Sequence, residues 1–293
     1  MNSMDNKLSE RFRIIELIGK GSFGQVYLSK DKKGREYASK VEKRKKSSRL
    51  LDEHYIYRIL RRNGVKSEIP TMYNLIQTPN YNILVMELLG QSLDSLFYTF
   101  EKKFTLSTVL NLAIDILKIM KNIHRAGIIH RDIKPNNFLV GHGSNSSRII
   151  LTDFGLSKKY IKNDKHIAYR KNKKLIGTLR YASINMHNGI EPSRRDDLES
   201  CGYMFVYFLK GSLPWQGLKK NKKYDQIQMI EKVKKNTPLD KLCSGLPNCF
   251  KQYLKVCRKL DFYDKPPYND LIELFVKEAK YQNLELSYQW CKQ

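Results

Sequence analysis

His130-Arg131-Asp132-Ile133-Lys134-Pro135-Asn136-Asn137 is the stretch that decides how this chain folds. Asp132 offers a carboxylate to take the proton of an attacking hydroxyl. Lys134 offers a cation to neutralise a moving phosphoryl group, and Asn137, five residues after the aspartate, offers an amide oxygen to a magnesium ion. A solvated turn with those residue types in that order is improbable once a glycine-rich loop precedes it.

Downstream, the β-branched run Ile149-Ile150-Leu151-Thr152 delivers Asp153-Phe154-Gly155 at a strand end, where a carboxylate can hold a magnesium ion that bridges the β and γ phosphates. A D-F-G tripeptide alone is often an ordinary turn. Upstream, Gly19-Lys20-Gly21-Ser22-Phe23-Gly24 is G-x-G-x-x-G, whose bare backbone lets phosphate oxygens approach. A dinucleotide-binding loop would open a helix next, but Gln25-Val26-Tyr27-Leu28 alternates like a strand, so the loop joins two strands. Lys40 ends the strand Tyr37-Ala38-Ser39-Lys40, at a reach suited to the α and β phosphates, and Glu53 on the following helix can pair with it. In isolation each is an ordinary solvated charge; four such elements in the required order are not all turns and solvated faces.

Local patterns frame these residues. Strands are expected over FRIIELIG, QVYLSK and REYASKV, with Lys33-Gly34 as a hairpin, a helix over 50–62, and short strands near 72–77 and 81–86. Beyond Gly90 the pattern turns helical. It is clearest from Leu106 to His124, with Thr105 as cap and Gly127 as stop, and further helices are expected near 197–210, 224–235, 250–260 and 268–281. Residues 1–89 therefore read as a small β-rich lobe and 90–293 as a larger helical one.

Composition narrows the class. The 293 residues are 41% hydrophobic and 11% aromatic, enough for a packed interior. The opening MNSMDNKLSE lacks the apolar core of a secretory signal, and the longest uncharged apolar run, 201–209, is far short of the roughly 20 residues a membrane span needs. Five cysteines without paired spacing, and no HExxH, suggest reduced thiols in the cytoplasm or nucleus and no structural metal. The net charge of +25 implies attraction to polyanions. Its dense runs are Lys43 to Arg49, Lys158 to Lys174 and Lys219 to Lys223, of which the first and third serve equally as solvated faces. No nucleic-acid motif accompanies them, so nucleic acid is not expected as a specific partner, and the chain reads as a monomer.

The motifs resemble those of protein kinases, and over nearly the whole length the chain is similar to the casein kinase 1 family. The distinguishing stretches are Leu88-Leu89-Gly90-Gln91-Ser92-Leu93, Gly177-Thr178-Leu179-Arg180-Tyr181-Ala182-Ser183-Ile184-Asn185, Ser193-Arg194-Arg195-Asp196-Asp197-Leu198-Glu199-Ser200, Gly211-Ser212-Leu213-Pro214-Trp215-Gln216-Gly217-Leu218-Lys219 and Asp264-Lys265-Pro266. Ser183-Ile184-Asn185 stands where most protein kinases have A-P-E, as in that family.

The resemblance implies an α+β, bilobal protein kinase fold: a small antiparallel β-sheet lobe with one main helix, and a larger, mostly helical lobe, together one domain. It implies constitutive transfer of the γ-phosphate of ATP, with Mg2+, to serine or threonine in acidic or already phosphorylated proteins. Catalysis would fall to Asp132, Lys134, Asn137, Asp153, Lys40 and Glu53, with Asn137 and Asp153 on the metal. ATP would meet the loop at Gly19, Gly21, Ser22 and Gly24; Met86 at the back of the adenine pocket; Glu87 and Leu89 through their backbone; and Ile18, Val26, Ala38 and Leu139 around the base. Those apolar residues would serve equally as plain core. Arg180 and Lys219, with the backbone of Gly211 and Ser212, match the family's anion pocket; Arg131, Lys158 and Lys173 match a second anion site. Asp197 matches an aspartate that braces the catalytic loop from a buried helix. The run at Lys219 to Lys223 suits nuclear entry or docking. Three positions depart from the pattern: Asn136 for aspartate, Ser39 for isoleucine and Ser157 for alanine. Two rivals remain at this stage, a phosphopeptide-binding module without chemistry and a nucleic-acid-binding protein.

Overall fold

A computed structural model describes residues 11–21, 24–218 and 223–291. The chain forms two compact units, Met1–Gln91 with Leu139–Leu156, and Ser92–Phe138 with Ser157–Gln293. The segment Leu139–Leu156 is bonded back into the first unit. Leu151 N–H donates to the Glu68 carbonyl at 2.8 Å, and Arg148 pairs with Glu87 at 2.6 Å.

In the first unit, β1 (Phe12–Gly21), β2 (Gly24–Asp31), β3 (Glu36–Lys43), β4 (Met72–Gln77) and β5 (Tyr81–Glu87) make an antiparallel sheet in the order β1-β2-β3-β5-β4. The alternation of side chains sorts its two faces. Phe12, Tyr37, Val41, Ile83 and Val85 form a buried apolar cluster on one. The intervening positions share the other, where Val26 lies opposite Lys40 and Ala38 opposite Met86. Ser39 belongs to the first face, within the apolar cluster's reach. A lone hydroxyl there would be costly, but its Oγ is 2.7 Å from Ser29 Oγ and both residues are fully buried, so each supplies the other's partner.

Helix α1 (Arg49–Arg62) starts where Ser48 accepts from Leu51 N–H at 3.2 Å. The buried Glu42 carboxylate accepts from Arg49 N–H at 3.2 Å and from the Ser48 hydroxyl, placing negative charge at the helix's positive end. Its buried stripe is Leu50, Glu53, Ile56, Tyr57 and Leu60, so a carboxylate occupies a position that helical spacing reserves for an apolar side chain.

The second unit is helical: α2 (Leu93–Thr99), α3 (Leu106–Arg125), α4 (Ile184–His187), α5 (Arg194–Lys210), α6 (Lys223–Asn236), α7 (Leu239–Leu242), α8 (Asn248–Lys259) and α9 (Tyr268–Tyr281). Thr105 caps α3, accepting from Thr108 N–H at 3.3 Å. Helix α5 is buried from Asp196 to Phe208, as expected of a central element whose every face meets protein. Gly202 makes its packing on α8 close: a Cβ there would lie 2.5 Å from Leu254 Cδ2. Any larger residue must displace the Leu254 and Tyr253 side chains.

Candidate active site

In the first unit, Lys40 on β3 brings its Nζ to 2.7 Å from Glu53 Oε2 and 2.9 Å from Asp153 Oδ1. Burial works against the lysine's charge, but the two carboxylates outweigh it and hold its pKa above the ordinary lysine value. Burial pushes the Glu53 carboxyl up and outweighs the pull of Lys40, so the net shift is upward. At 2.7 Å from the ammonium, and with only 2% of its side chain exposed, Glu53 depends on Lys40 to carry its charge in a desolvated setting. Phe154, next to Asp153, packs edge-on against Tyr57 of α1 with ring centroids 5.0 Å apart, and Arg49 Nη1 donates to the Gly155 carbonyl at 3.2 Å. Asp153 itself has φ +63°, a left-handed conformation uncommon for a residue with a Cβ, so its placement depends on these neighbours.

The remaining first-unit candidates lie along the same sheet. Gly19 pairs with Val26, Val26 with Lys40 and Ala38 with Met86, so one sheet face carries Val26, Ala38, Met86 and Lys40. Ile18 is exposed. Glu87 has its own N–H on the Thr71 carbonyl at 2.8 Å and its side chain on Thr71 N–H and Arg148, which orders the segment leading to Leu89. Leu139 returns to this unit in the strand Phe138–Val140, and Gly90 N–H donates to the Val140 carbonyl at 2.9 Å. Ser22 of the loop and Lys219, an anion-pocket candidate, lie outside the described residues.

In the second unit, the catalytic-loop candidates surround Asp132. Lys134 Nζ donates to Asp132 Oδ2 at 2.7 Å, Thr178 Oγ1 to Asp132 Oδ1 at 2.8 Å, and Asn137 Nδ2 to the Asp132 carbonyl at 2.8 Å. Both carboxylate oxygens are thus aimed, and the asparagine's nitrogen is committed, which fixes the orientation of its amide. Gly177, before Thr178, has φ +77°, and a Cβ there would sit 2.5 Å from the Arg131 carbonyl oxygen.

Asp197, on the first turn of α5, holds this loop from below. Its Oδ2 accepts from His130 N–H at 2.7 Å and its Oδ1 from Arg131 N–H at 2.8 Å. His124 Nε2 is 3.0 Å from Oδ2; a carboxylate only accepts, so Nε2 carries the proton, and Nδ1 accepts from Tyr268 Oη at 2.6 Å. Burial raises the Asp197 pKa, but the bonds from His124 and the backbone win and the net shift is downward. The pinned amide keeps Arg131 at φ +69°.

Two of the sequence departures are also answered here. Asn136 Nδ2 donates to Asp94 Oδ2 of α2 at 2.9 Å, where an aspartate would set two carboxylates against each other. Ser157 Oγ donates to the His130 carbonyl at 3.3 Å.

Of the anion candidates, the Arg180 guanidinium carbon lies 5.8 Å and 5.4 Å from the Tyr181 and Tyr207 ring centroids, and Trp215 Nε1 donates to the Arg180 carbonyl at 2.7 Å. Gly211 ends α5 at φ +78°, with Ser212 exposed beside it. Lys158 and Lys173 meet on one carboxylate, Glu191, at 2.7 Å and 3.2 Å, and Arg131 Nη2 is 3.5 Å from the Ser157 carbonyl. Burial acts to raise the Glu191 pKa, but the lysines hold it below the usual carboxylate value.

Glu191 was not among the residues anticipated, nor was buried Lys234; Thr178 stood within an anticipated stretch without a role. A sheet carrying a glycine turn and a lysine–glutamate–aspartate cluster, followed by helices that aim a buried aspartate, is the architecture of a phosphotransferase. A family model, the protein kinase domain, matches residues 12–274, and the chain belongs to that family. The fold is therefore the bilobal protein kinase fold, and the substrates of such a domain are proteins. Among the described residues, no helix is long and apolar enough to cross a membrane.

Proposed function

We propose that this chain is a serine/threonine protein kinase of the casein kinase 1 type that uses ATP and Mg2+ and prefers acidic or already phosphorylated proteins. The observation that carries the reading is the setting of Asp132: one carboxylate oxygen on the Lys134 ammonium and the other on the Thr178 hydroxyl. Such a carboxylate takes the proton of the attacking serine or threonine hydroxyl as its oxygen bonds to the γ-phosphorus, and ADP departs. Lys134 neutralises charge on the phosphoryl group in transit. Lys40, steadied by Glu53, holds the α and β phosphates, while the face bearing Val26, Ala38 and Met86 receives the base. Hard oxygen donors suit magnesium, and Asp153 and Asn137 each offer one. When bound, Mg2+ offsets the negative charge of the phosphates.

The substrate class rests on the family stretches and on Arg180, whose cation lies beside the rings of Tyr181 and Tyr207 with its backbone tethered by Trp215. Constitutive activity follows from the same resemblance, and a cytoplasmic or nuclear location from the unpaired cysteine spacing. The test is a peptide assay with Mg-ATP comparing pSer-x-x-Ser, Asp-x-x-Ser, a neutral serine peptide and a tyrosine peptide, with Asp132→Asn as the control. The primed peptide should turn over best, the tyrosine peptide not at all, and raised salt should narrow the primed peptide's advantage. Equal turnover of the serine peptides refutes the substrate class; transfer undiminished in the Asp132→Asn protein refutes the mechanism.

A further inference from the structure

Lys234 is the largest anomaly in the second unit: a lysine with no exposed surface and, among the described residues, with no carboxylate hydrogen-bonded to it. It stands on α6 one turn beyond buried Ile230. Its Nζ donates to the carbonyls of Ala182 at 2.6 Å, Leu179 at 3.1 Å and Arg180 at 3.4 Å, and it lies 3.2 Å from His187 Nε2 of α4. The faces of Tyr203 and Trp215 flank it, with ring centroids at 5.0 Å and 4.9 Å. Every direct polar neighbour is an acceptor or is made one by the lysine, so the cage calls for a compact, donor-rich group. Burying such a group is expensive, and a merely structural position would be filled better by an apolar side chain of the same length.

The three carbonyls belong to the segment that joins Thr178, which holds Asp132, to Ser183, which caps α4. Arg180 lies between them, and its own carbonyl is shared by Lys234 and the Trp215 indole. We propose that Lys234 is a positioning residue for substrate recognition: from α6 it fixes the backbone of Leu179 to Ala182, and with it the place of the Arg180 cation that receives the acidic or phosphorylated part of the substrate. This rests on the substrate class proposed above and adds its internal anchor. Lys234 touches no substrate; it acts through the three carbonyls.

The test is Lys234→Met, which keeps the length and removes the donors, alongside Lys234→Gln, which retains two donor hydrogens. Both are compared with wild type on an Asp-x-x-Ser peptide and on a neutral serine peptide, with thermal melting in parallel. The expected result for Lys234→Met is a rise in KM of tenfold or more for the acidic peptide, with KM for ATP and for the neutral peptide within about threefold of wild type. Lys234→Gln should fall between. An equal loss on both peptides, an unchanged acidic-peptide KM in a folded variant, or the failure of both variants to fold overturns the positioning role and leaves Lys234 a structural residue. If wild type itself shows no preference for the acidic peptide, the substrate class fails instead; the two failures are therefore distinguishable.

Discussion

Replacing Asp197 by asparagine tests how the catalytic loop is held. The carboxylate serves His130 N–H and His124 on Oδ2 and Arg131 N–H on Oδ1. An amide of the same shape has one acceptor. If its oxygen takes the Oδ2 place, Arg131 N–H faces an NH2 group and loses its partner, at a cost of about 1–3 kcal/mol. The two bonds that survive become neutral and lose roughly half their strength, about 1 kcal/mol each. The sum is on the order of 3–5 kcal/mol, or a fall in Tm on the order of 10 °C for a protein of this size. Arg131, no longer pinned at φ +69°, is released toward ordinary backbone geometry, and Asp132 moves with it. Calorimetric melting at pH 7.5, with kcat on an acidic peptide, should show both the lowered Tm and a kcat loss of tenfold or more. A Tm within about 2 °C of wild type and a kcat within twofold would refute the bracing role.

Lys40→Met should abolish activity and also destabilise the first unit by about 3–5 kcal/mol, because Glu53 is left buried without its cation; Lys40→Met with Glu53→Gln should recover most of that stability in urea denaturation and none of the activity. Acid should weaken the fold through two histidines. Burial lowers the pKa of His124, and burial with the neighbouring Lys234 charge lowers that of His187 to about 3, so their contribution is present above pH 6.5 and is lost as pH falls toward the folded values. The His187 contribution to the unfolding free energy should therefore fall by about 1.4 kcal/mol per pH unit between pH 6 and 4, with a further loss from His124, and His187→Gln should remove one proton's worth of the slope. For the buried serine pair, Ser39→Val and Ser29→Val should each cost about 1–3 kcal/mol, and the double variant less than their sum; strict additivity in a double-mutant cycle would show that the two hydroxyls do not serve one another.

Much of this was legible in the chain. Period-two alternation and turn residues marked β1 to β5, and the three-and-four spacing of α3 marked it from Thr105 onward. Glu53 was legible as a pairing partner, and its place in an apolar stripe explains why it is more than a surface charge. Helix α2 escaped because a seven-residue helix does not repeat its pattern enough to be seen. Lys234 escaped because Lys232-Val233-Lys234-Lys235 reads as solvated charge, although Ile227, Ile230 and Lys234 fall at helical spacing and the lysine stands where an apolar residue is due. Glu191 lies outside any periodic element, and only the fold shows which lysines it joins. The partnership of Ser29 with Ser39 is likewise set by strand register, which neither serine announces alone.

The return of Leu139–Leu156 to the sheet-bearing unit has a practical consequence for anyone who would divide this protein. The polypeptide crosses from one unit to the other at three places, so no single nick yields two self-sufficient pieces. A fragment ending at residue 91 would lack the strand that bonds to Glu68, the arginine that pairs with Glu87 and the carboxylate that meets Lys40. Expressed by itself it should be insoluble or unfolded, and a split reporter built on this chain would have to supply the missing eighteen-residue stretch, Leu139 to Leu156, in trans.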